Sequence, residues 1–423
     1  MRKTILFLSA AFLAFPAAAQ VQDTQPQPIP IEIRTPAARD IDYPGMLTID
    51  VDATDTARAI YRVRQTIPVA AAGPMTLLFP EWLPGNHAPR GPINQFAGLR
   101  ISANGQAIPW RRDATDVFAF HLDVPAGVSR LDVEFQHLSP TVGAQGRITM
   151  TPDMLNLQWE KMALYPAGYF VRNIQITPSV TLPAGFTAAT SLDVASQSAN
   201  RIAYRPVSFE TLVDSPMFAG RYFRKEALTP DVNLNIFADR PEDLAATPEH
   251  IAAHRQLVEQ TLKLYGADHY DEYEFLLALT DRLGGIGLEH LRSSENSHPR
   301  NHFTAWDAGS AGRDLLAHEF NHSWDGKYRR PLGMIAPDYS TPTRNDLLWV
   351  YEGMTQFYGK ILSARSGMMP VEDVKSELAR TAAYYDTLPG RNWRALVDTT
   401  YDPIINARRP QPYSSYQRSE DYY

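Results

Sequence analysis

From Leu47 to about Tyr222 the chain is written in short runs of β-branched and aromatic residues, among them residues 47–51, 60–63, 118–124 and 131–135. Clusters of Pro, Gly, Asn and Asp separate the runs, so each ends where the backbone must turn. This pattern restricts the stretch to an all-β sandwich. After about Lys225 the period changes. Ile251, Leu257, Leu262 and Leu264 recur among charged residues between His250 and Tyr265, as on an amphipathic helix. Helices are expected to dominate from there on. A short edge strand over residues 274–279 should lead into the turn Gly284-Gly285-Ile286-Gly287. Two helices should follow over residues 314–324, capped near Gly312 and Arg313, and over 346–362. The predicted class is α+β and multidomain, with a β-sandwich domain at 40–225 and a mostly helical domain at 226–423.

The rest of the composition narrows what such a chain can do. With 423 residues, 44% of them hydrophobic, it can bury more than one core. A net charge of -7 without long basic runs predicts neither nucleic acid nor anionic lipid as a partner. There is no cysteine, so any transition metal must be held by histidine and carboxylate. Arg2 and Lys3, an apolar run over residues 4–15 and Ala17-Ala18-Ala19 before Gln20 read as a secretory signal at 1–19. The run falls short of the ~20 residues that span a bilayer, and no later segment is long and apolar enough. An exported, cysteine-free chain fits a bacterial periplasm, or secretion. Residues 20–39, opening in Pro, Gln and Thr, read as a flexible linker.

The strongest chemical signal is His318-Glu319-Phe320-Asn321-His322, the H-E-x-x-H pattern on a helical stretch with Leu315, Leu316 and Phe320. Residues four apart share a helix face, so both imidazoles can bind one Zn²⁺ while Glu319 acts as general base toward water. A catalytic zinc needs a third protein ligand and an open position. Glu352 is the candidate, because it is an isolated carboxylate in the mostly apolar helix Leu347-Leu348-Trp349-Val350-Tyr351-Glu352, where burial without a partner is costly. A helix glutamate that is merely half exposed is the alternative. The metal type stays open between zinc, cobalt and manganese. Lys327, Arg329 and Arg330 read most simply as a solvated turn, with neutralisation of carboxylates around the site as the alternative, and His87 as a structural loop histidine rather than a fourth ligand.

These segments, together with Gly326-Lys327, Arg329-Arg330-Pro331 and W-x-x-E-G-x-T from Trp349 to Thr355, resemble the glycyl aminopeptidase family, metallopeptidase family 61. Pro80-Glu81-Trp82-Leu83-Pro84-Gly85-Asn86-His87 and Leu157-Gln158-Trp159, with Leu164-Tyr165-Pro166-Ala167-Gly168, resemble its N-terminal β domain. The resemblance implies a thermolysin-like catalytic domain with one zinc per chain. It also implies that Gly285 and Glu289 of the glycine-rich segment bind substrate, Glu289 taking the free α-amino group. Tyr423, with Tyr422 in reserve, is implied as the donor to the oxyanion. By the same resemblance the helical domain should continue past Tyr423 and a PDZ-like module should follow, so the chain is expected to be truncated. The expected activity is release of small N-terminal residues, glycine or alanine, from a peptide with a free N-terminus. The alternatives are a zinc endopeptidase and a noncatalytic peptide-binding protein with a scaffold zinc site. Oligomeric state is not readable from the sequence.

Overall fold

The structure, a computed structural model, describes residues 25–32, 34–405, 418 and 421–423. The expected signal at 1–19 and the first part of the linker lie outside them. Residues 1–34 and 35–423 form separate compact units. The described residues of the first are exposed and carry neither helix nor strand.

In the second unit, Met46–Asp55 lies inside a nine-stranded sheet, parallel to Gln175–Thr181 and antiparallel to Ile60–Pro68. Ile60–Pro68 pairs in turn with Arg130–Leu138. Alternation sets the register: Val51, Val63 and Phe135 stand opposite one another across three strands, and all are buried. A one-residue slip would turn the whole row outward. The same core takes in Leu77, Leu78 and Phe120 from a four-stranded sheet built around Gly73–Leu78 and Ala119–Val124. Each such side chain removed from water contributes about 1.5–3 kcal/mol. The N-terminal part is thus layered β-sheet, as its pattern requires.

Helices do not take over near residue 225. A five-stranded mixed sheet comes first, in the order Tyr222–Ala227, Val232–Ala238, Tyr273–Leu279, Ser293–His298, Gly287–Glu289. The strand expected at an edge, Tyr273–Leu279, has parallel neighbours on both sides and every residue buried. A strand covered on both faces reads as an unbroken apolar run, which carries no information about its place in the sheet. The edges are Tyr222–Ala227 and Gly287–Glu289, the second beginning at the last residue of the expected glycine turn. Val232–Ala238 crosses to Tyr273–Leu279 through the helix Pro248–Tyr265. Thr247 caps that helix by accepting from the His250 N–H, and Gly266, at φ 78, closes it.

The H-E-x-x-H segment forms the helix Leu315–His322, whose Leu316 and Phe320 pack into the core of this sheet. The single helix expected over residues 346–362 is instead a π-helical turn, Trp349–Met354, running into the α-helix Thr355–Ser366. One wider turn re-aims the side chains it carries, and residue propensities do not signal it.

Candidate metal centre

His318 and His322 are 4% and 1% exposed, and their Nε2 atoms lie 3.0 Å apart. Glu352, on the π-helical turn, brings its Oε2 to 3.3 Å from each of those nitrogens. Four-coordinate zinc with bonds of about 2.0–2.1 Å separates its ligands by roughly 3.3–3.4 Å, so the three atoms form one face of such a tetrahedron. Glu352 is 3% exposed, and its Oε2 has no hydrogen-bond donor. A buried carboxylate oxygen in that condition calls for a cation. The His318-Glu319-His322 group is itself compatible with a metal ion. His322 is oriented through its Nδ1, 3.0 Å from the Asp325 carbonyl.

Glu319 lies beside this triangle, also buried. Burial pushes its carboxyl well above the usual range, and the neighbouring carboxylates of Glu289 and Glu352 add to this against the pull of His322. Burial works against positive charge at His322, while Glu352, Glu289 and Glu319 all favour it there, which is where a bound cation would lie. The strand Gly287–Glu289 runs directly over Glu319: a Cβ on Gly287 would collide with Glu319 Oε1 and come within 2.6 Å of Leu315 Cδ1. Glycine allows that approach without displacing either side chain.

Glu289 is buried and accepts a hydrogen bond from the Tyr351 hydroxyl. Despite burial it is held below the ordinary carboxylate range, chiefly by His322 and Lys327. Gly85 covers it so closely that a Cβ there would lie 2.7–2.8 Å from both Glu289 oxygens. Gly285 lines a cleft of about 830 Å³ that reaches Glu352 and Tyr423, and its carbonyl accepts from Arg147 Nε at 3.2 Å. Tyr423 stacks on His318, with ring centroids 5.7 Å apart and planes at 10°. Tyr422 instead packs with Met334, Leu348 and Tyr351.

Two residues read from sequence as bystanders are not. Lys327 is no solvated turn residue: its side chain is 3% exposed and pairs with Asp214 at 2.5 Å. His87 is no isolated loop histidine: its Nε2 lies 2.7 Å from Glu352 Oε1. Both partners are remote in sequence, so no local pattern could have announced them. Glu160, in W-E-K from Trp159 to Lys161, also lines the cleft, 6% exposed, and burial raises its carboxyl to about 7. Its only sequence signal was a charge set in a stretch of apolar and aromatic residues.

The peptidase M61 N-terminal domain matches residues 48–221, and M61 glycyl aminopeptidase matches residues 311–423. The chain belongs to the M61 glycyl aminopeptidase family. Among solved structures, this M61 chain is similar to an aminopeptidase N family protein from Idiomarina loihiensis. The TM-score is 0.74 at 18% identity, over 89% of this chain and 64% of that one. It is also similar to leukotriene A4 hydrolase from Saccharomyces cerevisiae, with TM-score 0.50 and 11% identity over 91% and 56%. A third similar structure is an M1 zinc metallopeptidase variant from Deinococcus radiodurans bound to the substrate Tyr-Ser-Ala, with TM-score 0.50 and 16% identity over 90% and 81%. At these identities the likeness is one of fold, and the M61 chain spans less than two thirds of the first two. No curated protein sequence matches it.

Proposed function

We propose that this M61 chain is an exported zinc aminopeptidase that removes small N-terminal residues, glycine or alanine, from peptides with a free N-terminus. The observation that carries the reading is the triangle of His318 Nε2, His322 Nε2 and the donorless Glu352 Oε2. These three residues would hold the metal, which when bound supplies Lewis acidity toward a carbonyl and acidifies water. Glu319 takes a proton from the attacking water as the oxygen–carbon bond forms. It returns that proton to the departing nitrogen as the carbon–nitrogen bond breaks. Tyr423, beside His318, donates its hydroxyl to the developing oxyanion. Glu289 receives the substrate ammonium, exchanging the Tyr351 hydroxyl for a charged donor, and Gly285 lines the peptide's path.

A buried carboxylate at Glu289, approached closely by Gly85, supports capture of a free amine and so release from the N-terminus. Residues Arg2 to Gln20 support export. Among the described residues no helix is long and apolar enough to cross a membrane. The test is metal content together with hydrolysis of glycyl and alanyl chromogenic amides by the full chain and by Glu319→Gln. Stoichiometric zinc in both, with turnover reduced about 10²–10⁴-fold in the variant, supports the reading. Zinc without turnover in either favours a scaffold, and no zinc in the parent defeats the proposal. Glu289→Gln should raise KM for free-amine substrates; an unchanged KM would favour an endopeptidase.

A further inference from the structure

We infer that His87, carried by the N-terminal β part, is a positioning residue that fixes Glu352 as a one-oxygen metal ligand. The inference rests on the zinc reading above. Glu352 uses its two oxygens differently: Oε1 lies 2.7 Å from His87 Nε2, while Oε2 has no donor and faces both histidine ligands at 3.3 Å. An ionised carboxylate only accepts, so the proton of this bond sits on His87 Nε2. With Oε1 engaged, the carboxylate cannot swing both oxygens onto one cation. The remaining coordination positions are left for water and substrate.

The backbone of the loop is arranged for this contact. His87 sits at φ 53, the left-handed region that residues other than glycine rarely adopt. Such a conformation persists only where the surroundings over-determine it, and here they do so from two sides. The His87 carbonyl accepts from Asn345 Nδ2 at 2.7 Å, and Asn345 is itself fully buried just ahead of the turn bearing Glu352. The ring meets Tyr351 edge-on at 5.2 Å, and the residue is 8% exposed. Backbone and side chain are therefore both tied to the segment that supplies the third ligand. The metal site is completed by a residue 265 positions away in sequence.

The experiment compares the full-length parent with His87→Gly and His87→Gln. Glycine removes the ring without left-handed strain, and glutamine restores an N–H donor. Zinc affinity is measured by chelator competition on the apo proteins, and coordination by the visible absorption of their cobalt forms; melting of the apo proteins reports any packing role separately. Zinc binding weakened about 10–100-fold in His87→Gly, with a shifted cobalt spectrum and most of the loss recovered in His87→Gln, supports the inference. Unchanged affinity and spectrum in His87→Gly overturn it, leaving His87 a packing residue. Equal loss in both variants, with a cobalt spectrum showing one nitrogen ligand fewer, also overturns it, because His87 would then be a ligand itself. A parent that binds no zinc defeats the underlying reading instead, which the parent titration shows directly.

Discussion

Two buried groups of charge meet at the peptide bond between Glu289 and His290, and they are finished to different degrees. In one, Asp214 and Glu295 have a donor on every carboxylate oxygen: Lys327, His290 and the Leu291 N–H on Asp214, and Asn156, Gln158 and His290 on Glu295. Burial works against His290, but Asp214 and Glu295 hold it at about 9, and despite its own burial Asp214 is held well below the usual range by Lys327 and His290. In the other, Glu319, Glu289 and Glu352 surround His318 and His322, and Glu352 Oε2 has no donor at all. A satisfied network is rigid scaffolding, whereas one lacking a cation is a place for a ligand. The neighbouring scaffold holds Glu289 and the edge strand in place while the open group keeps its unmet demand.

The comparison breaks most readily at the open group. Chelation should abolish hydrolysis, and relative to protein at free zinc a thousandfold above Kd it should lower the unfolding free energy by about 4 kcal/mol. Denaturant unfolding with and without chelator measures this, and a chelator-insensitive curve would mean that the triangle holds no metal. In the closed group, Lys327→Met should cost about 3–5 kcal/mol by leaving Asp214 short of its main cation, with zinc affinity close to the parent's. A much smaller cost would mean that His290 alone satisfies Asp214.

The third prediction concerns pH. The folded-state value of His290, about 9, lies above its ordinary 6.5, so its contribution is complete below about pH 6.5 and is lost as pH rises through 9. Urea unfolding at pH 6, 8 and 10 should show a decline of up to about 3 kcal/mol, absent in His290→Gln. A parental curve flat over that range would show that the imidazole is not held charged. The smallest effect is expected at the seam between the groups. Gly287→Ala pushes the edge strand off Glu319, lowering kcat roughly tenfold for a stability cost of about 1 kcal/mol. An unchanged kcat would separate the glycine from the base.

Some of this was legible in the chain. The β runs announced the N-terminal sheets because a period of two fixes which face is buried, as Val51, Val63 and Phe135 illustrate. The two histidines announced themselves because four residues are one helical turn, and Glu352 because a lone carboxylate among apolar residues needs a reason. The five-stranded sheet was missed although one of its strands was read, because Tyr273–Leu279 is apolar but for Glu274 and a doubly covered strand has no period that tells its place.

By itself, then, the sequence determined the residue types able to hold a metal, the carboxylate between them and the layered β architecture upstream, since each depends on spacing within one element. Only the tertiary structure decided that Glu352 sits on a π-helical turn, that Gly287 lets a strand lie on Glu319, that Lys327 is buried against Asp214, and that His87 reaches Glu352. These are contacts between segments far apart in the chain. Which distant groups meet is settled by how the layers pack, and no local period records it.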